Sequence, residues 1–358
     1  MSEHILIIRL GAVGDVIHTL PLAAAIRDAR PDVHITWAAE PSPSLLLQGN
    51  PDLDRVLTVD TRAWRRNLPA GGLSVLRRDF RAVREVSADV AIDAQGLIKS
   101  GIIAWISGAK MRVGFEHRSC REGMNVLFTT HQASPPARPH HVVEKNLSLL
   151  GPLGIPPPGP GVLRFPLHER PEEGEAAEAY LRREGLAGKR PLLIVHPGAG
   201  WLTKRWDPNR FAAVADAWTR MTGGGVLLTW GPDEEETVRE VASAMCDSPA
   251  VAPRTTIRQM AALIRRGDVF VGGDTGPAHL AAALGIPCLV VMGPTDPARN
   301  GPWGRGHAVL HHRLACSGCY GRSCPDIECL ERVGVEEAVQ QLGRLWKAHE
   351  MRPLNVPK

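Results

Sequence analysis

Three segments of the chain place a charged side chain beside glycines, in patterns suited to chemistry on an anionic ligand. The first is Gly11-Ala12-Val13-Gly14-Asp15, which precedes an apolar helix-like stretch. Its glycines let a ligand or another backbone approach closely. A carboxylate at a helix N-terminus has its charged form stabilised by the helix dipole, so Asp15 is a candidate general base for a hydroxyl group. The alternative is that Asp15 only caps the helix.

The second segment is His196-Pro197-Gly198-Ala199-Gly200, which is followed by Thr203 and Lys204. Glycines free backbone N–H groups to face a phosphate, and a lysine adds a point charge. The segment therefore predicts a phosphate site. The alternative is that Lys204 and Arg205 are an ordinary exposed pair of cations.

The third segment runs Gly272-Gly273-Asp274-Thr275-Gly276-Pro277-Ala278-His279. Proline favours the first position of a helix, so a helix is predicted to begin at about Pro277. Thr275 and the free N–H groups at that helix N-terminus would bind a phosphate. His279 lies one turn inside the helix, where it either faces the ligand or packs as a satisfied histidine.

The elements that must position these segments are strands and helices in alternation. Each segment follows a short apolar run typical of a buried parallel strand, at residues 5–8, 192–195 and 268–271. Further strand-like runs alternate with helical stretches, among them single helices over residues 16–27 and 142–150. This alternation predicts parallel sheets covered by helices, in which ligands bind outside the carboxyl ends of the strands.

A proline-rich stretch divides the chain. Residues 151–171 include Pro156-Pro157-Pro158-Gly159-Pro160-Gly161, which cannot form a regular helix. We therefore expect an α/β fold with two Rossmann-like domains that face each other across a cleft. The predicted boundaries are 1–165 for the N-terminal domain and 172–334 for the C-terminal domain. Residues 335–358 are predicted to form a helix and tail that could return to the first domain.

Composition is that of a globular protein and excludes several classes. Of 358 residues, 44% are hydrophobic and 22% are charged, close to globular averages. No apolar run has the length of a membrane span, and the N-terminal residues lack a basic export signal, so export is not expected. The net charge of +4 lies in residues 1–168, which hold 19 Lys and Arg against 15 Asp and Glu. This excess suits an anionic partner or a solvated helix face.

Four of the seven cysteines are clustered in the sequence Cys316-x2-Cys319-x4-Cys324-x4-Cys329. Four thiolates within 14 residues could hold a structural zinc ion, although the spacing is not that of paired zinc knuckles. Reduced thiols and a redox-linked pair are the alternatives. The remaining cysteines are interpreted as packing residues.

The segment from Ile5 to Pro21 resembles the opening of the bacterial heptosyltransferases of glycosyltransferase family 9. Two later segments, at 273–279 and Gly293-Pro294-Thr295-Asp296-Pro297, resemble donor-site segments of that family, and residues 92–100 resemble heptosyltransferase I in particular. The resemblance covers about residues 4–345. It implies the GT-B fold, an inverting transfer of heptose from ADP-heptose, and no metal requirement for catalysis.

The resemblance also implies roles for particular residues. Asp15 matches the catalytic base, and Lys204 matches the lysine that holds the donor phosphates. The expected donor-binding residues are Gly198, Thr203, Asp233, Asp274, Thr275, Gly276 and His279, with Asp233 standing where the family usually has a ribose-binding Glu. The expected acceptor-binding residues are Arg62, Arg65, Arg66, Lys99 and Arg121.

The partners implied by the resemblance are ADP-heptose, a Kdo-lipid A acceptor and the inner-membrane surface, with no nucleic acid. The expected location is cytoplasmic and peripheral, at the cytoplasmic face of the inner membrane. Two alternatives are a transferase of the same family with another acceptor, and a nucleotide- or NAD-binding module without glycosyl transfer. Glu40, which follows the second strand where a ribose-binding acid would stand, keeps the NAD alternative open.

Overall fold

The chain forms two compact units, Met1–His168 and Glu169–Lys358. The structure is a computed structural model, and it describes residues 3–66, 72–159 and 161–351. Each unit is a six-stranded parallel sheet with helices between successive strands. Each is therefore Rossmann-like, as the alternating pattern predicts.

The first unit contains strands β1 (His4–Ile8), β2 (His34–Ala39), β3 (Arg55–Thr58), β4 (Val90–Asp93), β5 (Met111–Phe115) and β6 (His131–Ala133). Its helices are α1 (Val13–Ile17), α2 (Leu20–Ala29), α3 (Pro41–Leu47), α4 (Thr61–Arg66), α5 (Gly72–Arg84), α6 (Ile98–Ile106) and α7 (Val142–Leu147). Short 3₁₀ helices span His117–Ser119, Gly123–Phe128 and Ser148–Leu153. The strand order is β3-β2-β1-β4-β5-β6.

The second unit contains strands β7 (Leu192–His196), β8 (Gly225–Leu228), β9 (Ala250–Val251), β10 (Val269–Gly273), β11 (Cys288–Val291) and β12 (Ala308–Leu310). Its helices are α8 (Pro171–Arg183), α9 (Pro208–Thr222), α10 (Glu235–Ala244), α11 (Ile257–Arg265), α12 (Gly276–Ala283), α13 (Pro297–Asn300), α14 (Glu328–Glu331) and α15 (Val335–Glu350). A 3₁₀ turn spans Leu202–Lys204. The strand order is β12-β11-β10-β7-β8-β9.

Both strand orders reverse direction beside the first strand of the unit. In the first unit the reversal lies between β1 and β4, and in the second it lies between β7 and β10. Ligands of open parallel sheets bind at this point, outside the carboxyl ends of the strands. Asp15 follows β1, Lys204 follows β7 and Asp274 follows β10, so all three residues lie at these reversal points.

Two predicted helices are shorter than the sequence pattern indicates. The helix expected over residues 16–27 is divided into α1 and α2, because Pro21 has no N–H to bond the carbonyl of Ile17. The helix expected over 142–150 is α-helical only to Leu147 and continues as a 3₁₀ helix that contains Pro152. Both differences arise because proline removes a hydrogen bond from the α-helical ladder.

The proline-rich segment is held against the first unit by polar contacts. Arg164 lies 2.5 Å from a carboxylate oxygen of Asp28 and 3.3 Å from one of Asp52. The amide of Asn50 donates to the carbonyl of Pro166 at 2.9 Å. The two units consequently divide at residues 168 and 169.

The described part of the C-terminal helix packs on the second unit. Ala338 and Leu342 of α15 are fully buried in the same apolar cluster as Phe211 and Trp218 of α9. Residues 352–358 of the expected tail lie outside the described residues.

Candidate active site

A buried ion pair joins the ends of β7 and β10 in the second unit. Lys204 Nζ lies 2.6 Å from Oδ2 of Asp274, and both side chains are largely withdrawn from solvent. The hydroxyl of Thr295 donates to the same carboxylate oxygen at 2.7 Å, and His279 Nε2 lies 3.2 Å from Oδ1. The arrangement fixes the lysine ammonium beside the N-terminus of α12.

The charges of this cluster stabilise one another. Burial alone raises the pKa of the Asp274 carboxyl, but the hydrogen bond and charge of His279 and the charge of Lys204 hold the pKa well below its ordinary value. Asp274 is therefore ionised at neutral pH and serves as the counter-ion of Lys204. A second hydrogen of the ammonium donates to the backbone carbonyl of Asp274 at 3.4 Å, which leaves the third for a ligand oxygen.

The N-terminus of α12 completes an anion-binding geometry. Thr275 is the N-cap residue in extended conformation, and its hydroxyl makes no capping hydrogen bond to the helix. Gly276 begins the helix and Pro277 follows, so backbone N–H groups and the positive end of the helix dipole lie next to Lys204. A phosphate group bound at this point could contact the Lys204 ammonium, the backbone N–H groups of α12 and the Thr275 hydroxyl.

Glycines allow β7 and β10 to bring their ends together. A Cβ at Gly272 would lie 2.8 Å from the carbonyl oxygen of His196, and a Cβ at Gly273 would lie 3.0 Å from that of Lys204. A side chain at either position would force the strand ends apart. The two glycines therefore permit the contact between Lys204 and Asp274.

At the end of β8 the buried carboxylate belongs to Glu234 and not to Asp233. Asp233 is exposed and adopts a left-handed backbone conformation with φ of 64°. Glu234 is buried, accepts the N–H of Gly231 at 2.7 Å and lies 3.2 Å from His196 Nε2. A Cβ at Gly198 would lie 2.2 Å from Glu234 Cδ, so this glycine makes room for Glu234. Sequence reasoning missed Glu234, because four consecutive acids, at positions 233–236, give no signal for which one turns inward.

Burial raises the pKa of Glu234, but the hydrogen bond and charge of His196 outweigh it, so the pKa lies below the ordinary value. The pair links His196, the last residue of β7, to Glu234, the residue that precedes α10.

Thr203 and Trp201 connect the lysine loop to the cysteine-containing segment. The buried Thr203 hydroxyl donates to the carbonyl of Gly321 at 2.8 Å. The Trp201 ring carries two cations, with Lys204 Nζ 4.5 Å and Arg322 Cζ 4.7 Å from its centroid. Such contacts stabilise cations over aromatic faces. Sequence reasoning missed Trp201 and Arg322, since they are separated by more than a hundred residues.

The zinc interpretation of the cysteine cluster is not supported. Within residues 3–66, 72–159 and 161–351, no group of three or more His, Cys, Asp or Glu side chains is placed to hold a metal ion. Cys324 Sγ donates to the carbonyl of Asp326 at 2.7 Å, and Cys329 packs in the apolar core. Cys316 and Cys319 are exposed and, like all seven cysteines, free. Burial and the nearby thiols of Cys316 and Cys319 raise the pKa of the Cys329 thiol, so these three cysteines are neighbours that are not arranged as a metal site among the described residues.

In the first unit an arginine holds Asp15. Arg9 Nη2 lies 2.8 Å from Asp15 Oδ1, and the buried Arg9 guanidinium also donates to the carbonyl of Ala94. Asp15 Oδ2 accepts the N–H of Ala12 at 3.2 Å. The carboxylate thus caps its own helix and remains about one-third exposed. Both hypotheses for Asp15, cap and base, are compatible with this geometry.

Gln95 fixes the glycine loop that carries Asp15. Its amide oxygen accepts the N–H of Leu10 at 2.9 Å, and its amide nitrogen donates to the carbonyl of Gly11 at 2.9 Å. The residue follows β4, so the two strands at the reversal point are joined through one side chain. Sequence reasoning did not identify Arg9 or Gln95 as part of the site.

Two of the predicted acceptor residues meet at Glu40. Lys99 Nζ lies 3.0 Å from Glu40 Oε1 and 2.9 Å from the Thr61 hydroxyl, and Arg62 Nε lies 3.3 Å from Glu40 Oε2. Burial raises the pKa of Glu40, but the hydrogen bonds of Thr61 and Lys99 and the charges of Lys99 and Arg62 bring it below the ordinary value. Glu40 is therefore committed to these cations, which does not favour a ribose-binding role.

The remaining predicted acceptor residues are not part of this cluster. Arg121 is exposed, and its backbone N–H donates to the carbonyl of Gly96 at 3.1 Å. The side chains of Arg65 and Arg66 lie outside the described residues, although both belong to α4.

Loss of the Asp274 charge should destabilise the second unit in a pH-dependent way. A carboxyl whose pKa is lower in the folded state contributes stability that is complete above its unfolded pKa, about 3.9, and is lost as pH falls through the folded pKa. We expect Asp274→Asn to lower the free energy of unfolding at pH 7 by about 3 kcal/mol, since Lys204 loses its buried partner.

We also expect the variant to show a weaker fall in stability than the parent between pH 4 and pH 2. Urea unfolding across this pH range measures both effects. Asp247→Asn, which removes an exposed carboxylate of the same unit, is the matched control and should leave the pH profile of stability unchanged. A variant with the parent's pH profile would contradict the lowered pKa of Asp274.

The fold and these two clusters define a class of protein, the GT-B glycosyltransferases, and the comparisons identify the family within it. The sequence profile of glycosyltransferase family 9 (heptosyltransferase) matches residues 76–329. Lipopolysaccharide heptosyltransferase 1 of Pseudomonas aeruginosa is 31% identical over 89% of this chain and 87% of its own length. Lipopolysaccharide heptosyltransferase 1 of Salmonella typhimurium is 28% identical over 87% of this chain and 93% of its own length.

Solved structures agree in fold. The family 9 glycosyltransferase of Veillonella parvula superposes with a TM-score of 0.84 and 23% identity, covering 97% of this chain and 98% of its own. Escherichia coli heptosyltransferase WaaC with ADP gives a TM-score of 0.77 at 23% identity, covering 96% and 99%. The expected GT-B fold is confirmed.

The chain belongs to glycosyltransferase family 9, and it is a glycosyltransferase similar to heptosyltransferase I. The resemblance to the heptosyltransferases of this family is confirmed. The alternative of a nucleotide- or NAD-binding module without glycosyl transfer is set aside, because the family is one of glycosyltransferases.

Proposed function

We propose that this enzyme transfers heptose from ADP-heptose to the Kdo of a lipid A precursor, with inversion at the anomeric carbon, in lipopolysaccharide inner-core synthesis. The observation that carries the proposal is the Lys204–Asp274 pair beside the N-terminus of α12. It offers a cation, N–H donors and a hydroxyl where a diphosphate leaving group would need them. Curated relatives named lipopolysaccharide heptosyltransferase 1 support the choice of sugar.

On the donor side, breaking the bond between the sugar and the diphosphate leaves negative charge on ADP. Lys204 and the α12 N-terminus stabilise that charge as it develops, with Thr275 and Gly276 as hydrogen-bond donors. His279 and Asp274 hold the ammonium in place. These groups supply the positive charge at the leaving group from the chain itself, and the mechanism assigns no step to a metal ion.

Gly198 and Glu234 form the neighbouring wall of the donor site in this proposal. We assign Thr203 a supporting role, because its hydroxyl is bound to Gly321. By the resemblance Asp233 stands where the family usually has a ribose-binding acid, and its exposed position leaves it accessible to a ribose.

On the acceptor side, Asp15 is the proposed general base. The attacking Kdo hydroxyl loses its proton to an Asp15 oxygen as the new glycosidic bond forms, and Arg9 holds the carboxylate in orientation. Arg62, Lys99 and Arg121, with Arg65 and Arg66, would bind the carboxylates and phosphates of the acceptor. Planar guanidinium groups suit both anions.

The lipid-linked acceptor places the enzyme at the cytoplasmic face of the inner membrane as a peripheral protein in this proposal. No helix in the described part of the chain has the length and apolar character needed to cross a bilayer. The proposal assigns acceptor binding to the first unit and nucleotide-sugar binding to the second. It includes no nucleic-acid partner.

Another acceptor is the second candidate, because relatives named lipopolysaccharide heptosyltransferase 3 are 26% identical over 81% of this chain. The test is mass spectrometry of the products formed from ADP-heptose and Kdo-lipid A. We expect a mass increase of one heptose residue and release of ADP. Transfer only to an acceptor that already carries heptose would favour the second candidate, and release of ADP with neither acceptor would contradict both.

Replacement of the base should reduce turnover strongly. Asp15→Asn can still accept the N–H of Ala12 but cannot take a proton, so we expect kcat to fall by about 10²-fold or more. Steady-state kinetics with calorimetry of the folded variant separate this effect from loss of structure. Asp32→Asn, at an exposed carboxylate of the same unit, is the control. A kcat near that of the parent enzyme would exclude Asp15 as the base.

Removal of the Lys204 ammonium should weaken the donor site. Hydrogen bonds to charged groups contribute about 1.5–3 kcal/mol, so Lys204→Ala should weaken donor binding or transition-state stabilisation by about 10–150-fold. Lys204→Arg should recover part of the loss, because a guanidinium fork does not reproduce a point charge. Calorimetric titration with ADP and donor kinetics measure this, with exposed Lys189→Ala as the control. Unchanged ADP affinity and kcat/KM in the alanine variant would refute the assignment.

A further inference from the structure

Exposed apolar side chains are concentrated on one part of the first unit. Within the described residues, eight large hydrophobic side chains are exposed, and three of them lie between positions 105 and 127. Trp105 is 60% exposed, Met124 is 62% exposed and Leu127 is 71% exposed. Exposed hydrophobic residues that are scattered singly are ordinary, whereas apolar patches with a polar rim mark interaction sites.

These three side chains belong to two packed elements. A Cβ at Gly101 of α6 would lie 2.7 Å from the ring of Phe128, so this face of α6 packs on the 3₁₀ helix Gly123–Phe128. Trp105 lies four residues after Gly101, on the same side of α6. Met124 and Leu127 are three residues apart and so share one side of the 3₁₀ helix. We call Trp105, Met124 and Leu127 the apolar flank.

Cations adjoin the apolar flank. A cavity of about 410 Å³ is lined by Arg84, Trp105, Ile106, Gly108 and Arg112. Arg84 donates to the carbonyl of Ile106 at 3.4 Å, and Arg112 donates to those of Phe128 and Ala109 at 2.7 and 2.8 Å. Among the described residues, neither guanidinium has a carboxylate within ion-pair distance. Both keep their charge available beside the indole of Trp105.

The sequence around the apolar flank also has a positive net charge. Residues 98–128 contain five Lys and Arg but only two acids, Glu116 and Glu122. Glu122 accepts the N–H of Ile98 at 2.6 Å and Glu116 accepts the hydroxyl of Ser134 at 2.9 Å. Both acids keep their charge, and the segment has a net charge of +3. The flank therefore combines apolar side chains with a cationic border.

This combination favours an anionic lipid surface over a second copy of the chain. A symmetric dimer through the flank would bring the same cations against each other, whereas anionic headgroups neutralise them. Aromatic and aliphatic side chains next to Arg and Lys are the composition of protein surfaces that lie in the interface of a bilayer.

We propose that the apolar flank docks on an anionic bilayer, with Trp105, Met124 and Leu127 entering the interface and Arg84 and Arg112 binding headgroup phosphates. The choice of a bilayer rests on the proposed function, whose acceptor is a lipid. Lys99 is the second residue of α6, near the reversal point of the sheet, and Trp105 lies six residues later, about 9 Å along the helix axis. Docking through this helix therefore keeps the acceptor-binding cations close to the lipid surface.

The test is flotation of the whole protein with vesicles, in the absence of donor and acceptor. Vesicles of phosphatidylcholine alone are compared with vesicles that also contain phosphatidylglycerol. We expect binding to the mixed vesicles, and weaker binding at high salt, since ions screen exposed charges. The double variant Met124→Gln/Leu127→Gln should lower the partition coefficient by about tenfold or more, and Arg84→Gln by about fivefold.

The control is Val162→Gln, which removes another exposed apolar side chain of the same unit and should not alter flotation. Calorimetry shows that each variant is folded. Equal flotation of the parent and the double variant would overturn the proposal. A parent dimer in ultracentrifugation that the double variant abolishes, with flotation unchanged, would assign the flank to a second copy.

Kinetics separate this proposal from the proposed function. The double variant should retain turnover with a deacylated, water-soluble Kdo acceptor and lose turnover when the acceptor is embedded in phosphatidylglycerol vesicles. If the parent enzyme floats with vesicles but transfers no heptose, the proposed function is contradicted and the docking proposal stands. Equal turnover of parent and double variant on the embedded acceptor would remove the docking surface alone.

Discussion

The close contact between the carboxyl ends of β7 and β10 is the constraint on which the donor site depends. The register pairs Gly272 directly with His196, so Lys204 and Asp274, 70 residues apart in the chain, meet as a buried ion pair. Buried charges are costly unless paired, and here the pairing is possible only because Gly272 and Gly273 carry no side chains. The glycines, the reversal of strand order and the ion pair therefore form one structural requirement.

The first unit uses the same arrangement with opposite charges. Its reversal point presents a carboxylate, Asp15, held by a buried guanidinium, Arg9, whereas the second unit presents an ammonium held by a carboxylate. In each unit the partner charge fixes the orientation of the functional group. The chemistry follows from this difference, since a base suits an attacking hydroxyl and a cation suits a departing diphosphate.

Most of the fold could be predicted from the sequence, because local features carry that information. Apolar runs at residues 5–8, 192–195 and 268–271 predict buried strands, and the glycines that follow them predict the turns. Proline accounts for the main differences between predicted and observed helices. Pro21 and Pro152 each remove a hydrogen bond from the α-helical ladder, so the helices predicted over 16–27 and 142–150 are interrupted or shortened. Asp15, Lys204 and Asp274 could be selected as site candidates from their positions after strands.

What the sequence by itself determined was which residues stand at strand ends, and hence which charges each site can contain. Only the tertiary structure decided which charges meet. Glu234 turns inward and Asp233 outward because Gly198 leaves space for one carboxylate beside His196. Arg9, Gln95, Thr295 and Trp201 join the sites through contacts between distant parts of the chain. The cysteines near residue 320 are close in sequence, and Cys316, Cys319 and Cys329 are neighbours in the structure. Among the described residues they are nevertheless not placed to hold a metal ion, and spacing alone cannot show that geometry.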